Sequence, residues 1–236
     1  MLAIAHRGAS GYAPENTRAA FDRALAMGAG AIETDVQLSA DGELIIFHDN
    51  TVDRTSDGRG PLGDYTLAEL QALDLGGWYA PEFAGQRILT VIELLDEYAE
   101  KIPLALEIKD PRAARPLIAV LNARGIADKV QITSFYWTAL LDARSANPDL
   151  YLGFLSPTFD DDLITRSVRR GFKQICPHVD RLTAPRVALA HGHGLNVRAW
   201  GVSRRDQVER LFDTGADGAT CNWPDWILGN QAPPRQ

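Results

Sequence analysis

Short apolar runs rich in β-branched residues alternate along the chain with longer stretches whose apolar residues recur every three to four positions. The short runs predict eight strands, at Leu2 to Ala5, Ala31 to Val36, Leu104 to Ile108, Val130 to Thr133, Leu150 to Phe154, Lys173 to Cys176, Leu195 to Trp200 and Asp217 to Cys221. The longer stretches predict helices over Thr17 to Met27, Ile92 to Ala99, Ala113 to Ala123, Trp137 to Ala146, Asp161 to Arg170, Ala184 to Ala190 and Arg204 to Phe212. One unit repeats about every thirty residues, the size of a βα pair, and the last strand falls near the C-terminus where barrel closure needs it. The pattern predicts the α/β class and, within it, a (β/α)8 TIM barrel. An open doubly wound sheet is the alternative, disfavoured because no dinucleotide-type glycine loop is present.

One interval breaks the rhythm. Between the second and third barrel strands lies an extra strand-like run, Leu44 to Phe47, joined through the Asp41-Gly42 turn, then a glycine-rich excursion over about residues 49–87 with one short helix, Leu67 to Leu73. Insertions of this kind follow the C-terminal ends of barrel strands, where loops build active sites. Nothing marks a linker or an internal repeat, so residues 1–236 are expected to form one domain, with Gln231 to Gln236 as a frayed tail.

Composition narrows the functional classes. A content of 45% hydrophobic and 23% charged residues excludes a disordered or coiled-coil chain. With 24 basic against 31 acidic residues the net charge is −7, which offers no general attraction to nucleic acid, so an anionic ligand would have to be held by local cations. Two cysteines, Cys176 and Cys221, are too few for a disulfide framework and read as buried thiols in a reducing compartment. No run approaches about 18 apolar residues, so stable membrane insertion is not expected, and a cytoplasmic location is.

Chemistry concentrates at predicted strand ends. Side chains alternate along a strand, so Glu33 and Asp35 point to the same side, and two inward carboxylates repel unless a cation lies between them. Hard oxygen ligands at this spacing suit Mg²⁺ or Ca²⁺. In Leu104 to Lys109, the apolar face takes Leu104, Leu106 and Ile108, leaving Glu107 inward as a third ligand candidate. His6 ends the first strand and His48 the extra one, a pair able to act as general base and general acid. Arg7 offers a donor fork that suits phosphate oxygens.

These residues carry a resemblance. His6-Arg7-Gly8, Pro14-Glu15-Asn16-Thr17, Glu33-Thr34-Asp35, His48-Asp49, Thr66 to Leu70, Glu107-Ile108-Lys109 and Gly215 to Gly218 resemble the glycerophosphodiester phosphodiesterase family over nearly the whole chain. The resemblance implies a TIM barrel, hydrolysis of a small-molecule glycerophosphodiester to sn-glycerol 3-phosphate and an alcohol, and one divalent cation. It implies that His6 and His48 are the catalytic pair, that Arg7 and Lys109 contact phosphate, and that Glu33, Asp35 and Glu107 are the metal ligands. Glu15 and Trp200 are further substrate-binding candidates, and Asn16 also suits a helix N-cap. Three carboxylates against Arg7 and Lys109 leave the bare pocket one charge negative; a divalent cation reverses that sign and admits a phosphodiester anion. The attacking oxygen is open between water and the glycerol 2-hydroxyl.

Two segments depart from the family pattern. Trp200-Gly201-Val202-Ser203 stands where Trp-Thr-Val-Asn is usual, and Cys221-Asn222-Trp223-Pro224 where Thr-Asp-Tyr-Pro is usual. Both are expected to lie away from the proton-transfer and metal groups and to bear on alcohol or glycerol recognition. The alternatives are a lysophospholipase D or phospholipase C-like enzyme acting on a lipid and, from another class, a non-catalytic glycerophosphate-binding protein. His191 to Gly194 reads as a helix end with surface histidines at the far mouth of the barrel. His178 reads as structural, Phe135 as a pocket residue, Trp137 as packing under a helix, and Trp78, Tyr79 and Phe83 as a small apolar cap on the insertion.

Overall fold

The computed structural model describes residues 1–229; the expected frayed tail lies outside them. Each strand sends alternate residues to opposite sides, and only one side is apolar enough to pack under helices. In β1 (Leu2–His6), β2 (Ala31–Leu38) and β4 (Leu104–Ile108), the residues Ala3, Ala5, Ile32, Val36, Leu104, Leu106 and Ile108 join the main core. His6, Glu33 and Glu107 are left facing the barrel interior, where they line a common cavity. The same alternation runs through β5 (Val130–Ser134), β6 (Tyr151–Ser156), β7 (Gln174–Pro177), β8 (Asn196–Val202) and β9 (Gly218–Cys221). All eight pair in parallel, and β1 hydrogen-bonds both β9 and β2, closing the barrel.

The outer layer consists of α1 (Arg18–Ala26), α3 (Val91–Tyr98), α4 (Ala114–Ala123), α5 (Trp137–Ala146), α6 (Asp161–Arg169), α7 (Ala184–Gly192) and α8 (Arg205–Thr214), with α2 (Leu67–Ala72) in the insertion. A short C-terminal helix, α9 (Pro224–Leu228), follows the last strand and has no counterpart in the sequence reading. Five residues are too few to show a helical period, but Pro224 at its first turn is the available signal. Thr66 and Thr90 start α2 and α3 with reciprocal capping boxes to Glu69 and Glu93. Thr17, rather than Asn16, caps α1.

The expected extra strand is β3 (Leu44–Ile46), antiparallel to β2 on the outside of the barrel. From it the chain makes its excursion and packs a separate small core of Ile45, Phe47, Val52, Leu62, Leu70, Leu75 and Ile88. Trp78, Tyr79 and Phe83 stack edge to face at 5.6 and 5.5 Å beside that core, and Trp78 is 40% exposed.

The turn after β1 is tight. Gly8 has φ +78°, and a Cβ there would meet the backbone carbonyl carbon of Ala20 at 2.6 Å. Gly8→Ala is therefore expected to destabilise the fold by about 3 kcal/mol, read as a lower midpoint in urea with an unchanged slope.

Candidate active site

Strand register assembles the site. His6 lies opposite Glu33, and two residues further along β2 Asp35 lies opposite Glu107, so adjacent strand ends bring the four together in two successive inward rows. The carboxylates of Glu33, Asp35 and Glu107 each offer an oxygen within 4.8 Å of the others, and all three residues are buried. Such a cluster cannot be left uncompensated. Asp35 Oδ2 accepts from Asn16 Nδ2 at 2.9 Å and lies 3.3 Å from Arg7 Nε. Asp35 Oδ1 accepts no hydrogen bond and has Lys109 Nζ at 3.4 Å. Lys109 Nζ also pairs with Glu107 at 2.6 Å.

Proton affinities show how the charges divide. Burial opposes ionisation of Asp35, but Arg7 and Lys109 overcome it and hold the group well below the usual carboxylate range. Burial, then the neighbouring Asp35, pushes Glu33 up to about 7. Glu107 is pushed up to about 8, chiefly by burial and despite its short pair with Lys109, because Asp35 and Glu33 act against that single cation. One ionised and two reluctant carboxylates, with a buried oxygen among them that accepts no hydrogen bond, form a donor set that fits a hard divalent cation.

The histidines differ in their supports. His6 Nδ1 lies 2.6 Å from Asn222 Oδ1. An amide oxygen only accepts, so the ring carries its hydrogen on Nδ1 and presents a bare Nε2, which is 3.9 Å from Glu33 Oε2. Burial, then Arg7, lowers its pKa to about 4, so it is neutral at physiological pH. The departure at Asn222 therefore touches a proton-transfer candidate directly. The expectation that this segment stands apart is corrected, because barrel closure brings position 222 against position 6.

His48 is backed instead by a carboxylate, Asp49 Oδ1, 2.5 Å from Nδ1. Gln37 Nε2 reaches the carbonyls of Phe47, His48 and Asp49 at 3.1, 2.9 and 2.9 Å and fixes the path of that segment. Arg54, from the insertion, donates to both Asp49 oxygens at 2.6 and 3.0 Å and to both Glu15 oxygens at 2.7 and 2.8 Å. Glu15 in turn accepts from Arg7 Nη1 at 2.8 Å. One guanidinium thus ties the support of His48 to the support of Arg7. Burial lowers the pKa of His48, while Asp35 and Asp49 oppose that change. Arg7 and Asn16 both adopt left-handed backbone, at φ 57° and 58°, and Asn16 N donates to Arg7 O. Non-glycine residues hold such conformations where surrounding contacts over-determine them.

A cavity of about 270 Å³ collects His6, Arg7, Glu33, His48, Glu107 and Lys109, with Phe135 and Trp200 as an edge-to-face wall at 5.2 Å. Glu15 stands behind Arg7, with both oxygens engaged. Trp200 Nε1 donates to Ser156 O, and His178 packs against its ring at 4.7 Å. His178 is held there because Gly201, at φ +80°, leaves room: a Cβ would meet His178 Nε2 at 2.5 Å. Trp137 stacks on Phe154 and Phe172, His191 pairs with Asp217 at the far mouth, and both cysteines are buried and free. Among the described residues, sequence reading missed Asn222, Arg54, Gln37 and Arg198. Arg198 has a usable signal, since period-two alternation from Trp200 places it inward.

Comparisons with known proteins bear on the family and the fold. A family model described as the glycerophosphoryl diester phosphodiesterase family matches residues 6–226. The chain is 35% identical over 233 residues to the glycerophosphodiester phosphodiesterase of Caldanaerobacter subterraneus subsp. tengcongensis, covering 96% of each. It is similar to a solved phosphodiesterase of Oleispira antarctica in complex with the product sn-glycerol-3-phosphate, with TM-score 0.87 and 29% identity over 97% of this chain and 96% of that one. The structure of a glycerophosphodiester phosphodiesterase from Agrobacterium tumefaciens matches with TM-score 0.85 and 28% identity, covering 97% of this chain and all of that one.

Proposed function

The chain belongs to the glycerophosphodiester phosphodiesterase family and is a phosphoric diester hydrolase, and on that footing we propose that its histidine pair and a divalent cation cleave glycerophosphodiesters to sn-glycerol 3-phosphate and an alcohol. The observation that carries this reading is the meeting of two histidines, Arg7 and Lys109 in one cavity with Glu33 and Glu107, whose carboxylates cluster with that of the buried Asp35. Glu33, Asp35 and Glu107 would hold Mg²⁺ or Ca²⁺, which when bound supplies positive charge to the phosphoryl oxygens. Arg7 and Lys109 hold and orient the phosphate, and their fixed positions meet charge that builds up during the reaction.

The two imidazoles take different parts. His48 lines both the inner cavity and an adjoining one of about 510 Å³ bordered by Asn50, Thr51 and Tyr136, whereas His6 lines only the inner one. The leaving alcohol has room on the His48 side. His6 Nε2, unprotonated, takes the proton of the attacking oxygen, and His48, backed by Asp49, gives a proton to the departing one. The anionic diester raises the proton affinity of His48 on binding. Phosphorus NMR that detects or excludes a cyclic glycerophosphate separates attack by the glycerol 2-hydroxyl from attack by water.

A panel of glycerophosphodiesters with a glycerol 3-phosphate readout tests the activity. Headgroup release from glycerophosphocholine against release from a lysolipid with the same headgroup separates a small-molecule from a lipid substrate, and absence of glycerol 3-phosphate from every glycerophosphodiester would sink the reading. Lys109→Ala is expected to lower kcat/KM by about ten- to hundredfold through loss of a charged phosphate contact, with far-ultraviolet circular dichroism unchanged; unaltered kinetics would remove Lys109 from the site.

A further inference from the structure

Arg198 is a charged side chain that this scheme does not use. Its neighbours Val197 and Ala199 join the outer core, so β8 turns Arg198 inward, where it is 2% exposed and borders the cavity floor. A buried arginine kept only for packing has its donors satisfied. Here Nε and Nη1, both buried, have no hydrogen-bond partner. Its charge acts on Glu33 and Glu107, and on Glu33 it weighs more than Arg7 or Lys109. Counting it also corrects the charge ledger, because three cations now face three carboxylates.

We propose that Arg198 is a resident counter-charge for the acidic triad: it stabilises the metal-free protein and weakens the triad's grip on a divalent ion. The proposal rests on the reading of Glu33, Asp35 and Glu107 as the metal site. A fixed positive charge below the triad replaces part of what the ion supplies and repels the ion when it arrives. The cofactor is thereby made exchangeable, and the apo barrel is spared part of the cost of burying Glu33 and Glu107 beside Asp35.

Calorimetric titration of Mg²⁺ into the metal-free protein, with thermal melts before and after, tests this directly. Arg198→Met keeps a long side chain and removes the charge, and it is expected to bind Mg²⁺ at least about tenfold more tightly than the unmodified protein. Its metal-free melting temperature should fall, and the gain on adding Mg²⁺ should exceed that of the unmodified protein. Arg198→Lys keeps the charge and should bind Mg²⁺ as the unmodified protein does. A merely structural arginine would lower both melting temperatures together and tighten nothing. Unchanged or weaker Mg²⁺ affinity in Arg198→Met, or equal behaviour of the Met and Lys variants, overturns the proposal. Should Arg198→Met fold only with Mg²⁺ present, that dependence supports it; should it fail in both conditions, Arg198→Gln gives the neutral comparison. Absence of Mg²⁺, Ca²⁺ and Mn²⁺ binding in the unmodified protein would instead overturn the metal site itself.

Discussion

Replacing His48 by alanine is expected to lower turnover of diesters of ordinary alcohols by about 10²- to 10⁴-fold, the range for loss of a positioned proton donor. The size of the loss should depend on the leaving group. An alkoxide needs a proton as it departs, whereas a nitrophenolate does not, so with a glycerophospho-nitrophenyl substrate the His48→Ala deficit should shrink to about tenfold or less. His6→Ala should lose a similar factor on both substrates, since the attacking oxygen must shed its proton in each case. The contrast follows from geometry, because His48 borders the outer cavity and His6 does not. Equal losses for both variants on both substrates would reject the division of labour, and near-normal rates in either would remove that histidine from proton transfer.

Chelation is expected to abolish turnover, and Mg²⁺ or Ca²⁺ to restore it; full activity in excess chelator would reject the metal reading. The pH dependence has a definite sign. In the metal-free fold Glu33 and Glu107 titrate near 7 and 8, against 4.5 for an unperturbed glutamate. Between 4.5 and about 8 the folded chain therefore binds more protons than the unfolded one, and these two groups make the metal-free protein less stable as pH rises through that window. Metal binding expels the same protons, so divalent affinity should climb from pH 6 to pH 8. Differential scanning calorimetry at those two pH values, with and without Mg²⁺, reads both effects. A metal-free melting temperature that rises over the interval would contradict the assignment of raised carboxyls. A drop that Mg²⁺ does not reduce would contradict the triad as the binding site.

The barrel was legible because period-two alternation and helical spacing are local properties of the chain. Ends shifted by a residue or two, as at Leu150 to Phe154, which becomes Tyr151–Ser156. The residues proposed to do the chemistry were legible for a related reason. Carboxylates and histidines at strand ends break an otherwise apolar pattern, and a resemblance over nearly the whole chain named them. Their supports were not legible. Asn222 meets His6 across 216 positions of sequence, through a closure that only the folded sheet creates. Arg54 sits in irregular chain, where no period says which way a side chain points, and its two carboxylate partners lie 5 and 39 positions away. Asn16 looked like a cap because its residue type favours one. In the fold Thr17 takes that place, while Asn16 spends its amide on Asp35 and Thr34 at 2.9 and 2.7 Å.

The excursion that carries Arg54 coheres through a cluster of seven buried apolar side chains, four of them its own, apart from the larger core beneath the helices. A unit of that size has a smaller reserve against unfolding than the barrel it leans on. In gentle heating or dilute denaturant, the corner that carries His48 is expected to loosen first, with activity lost while the helical signal is still native. Backbone amides of residues 50–75 then exchange with deuterium well ahead of those in the parallel strands. On that expectation the ceiling on working temperature lies in this appendage, and engineering for heat tolerance begins there.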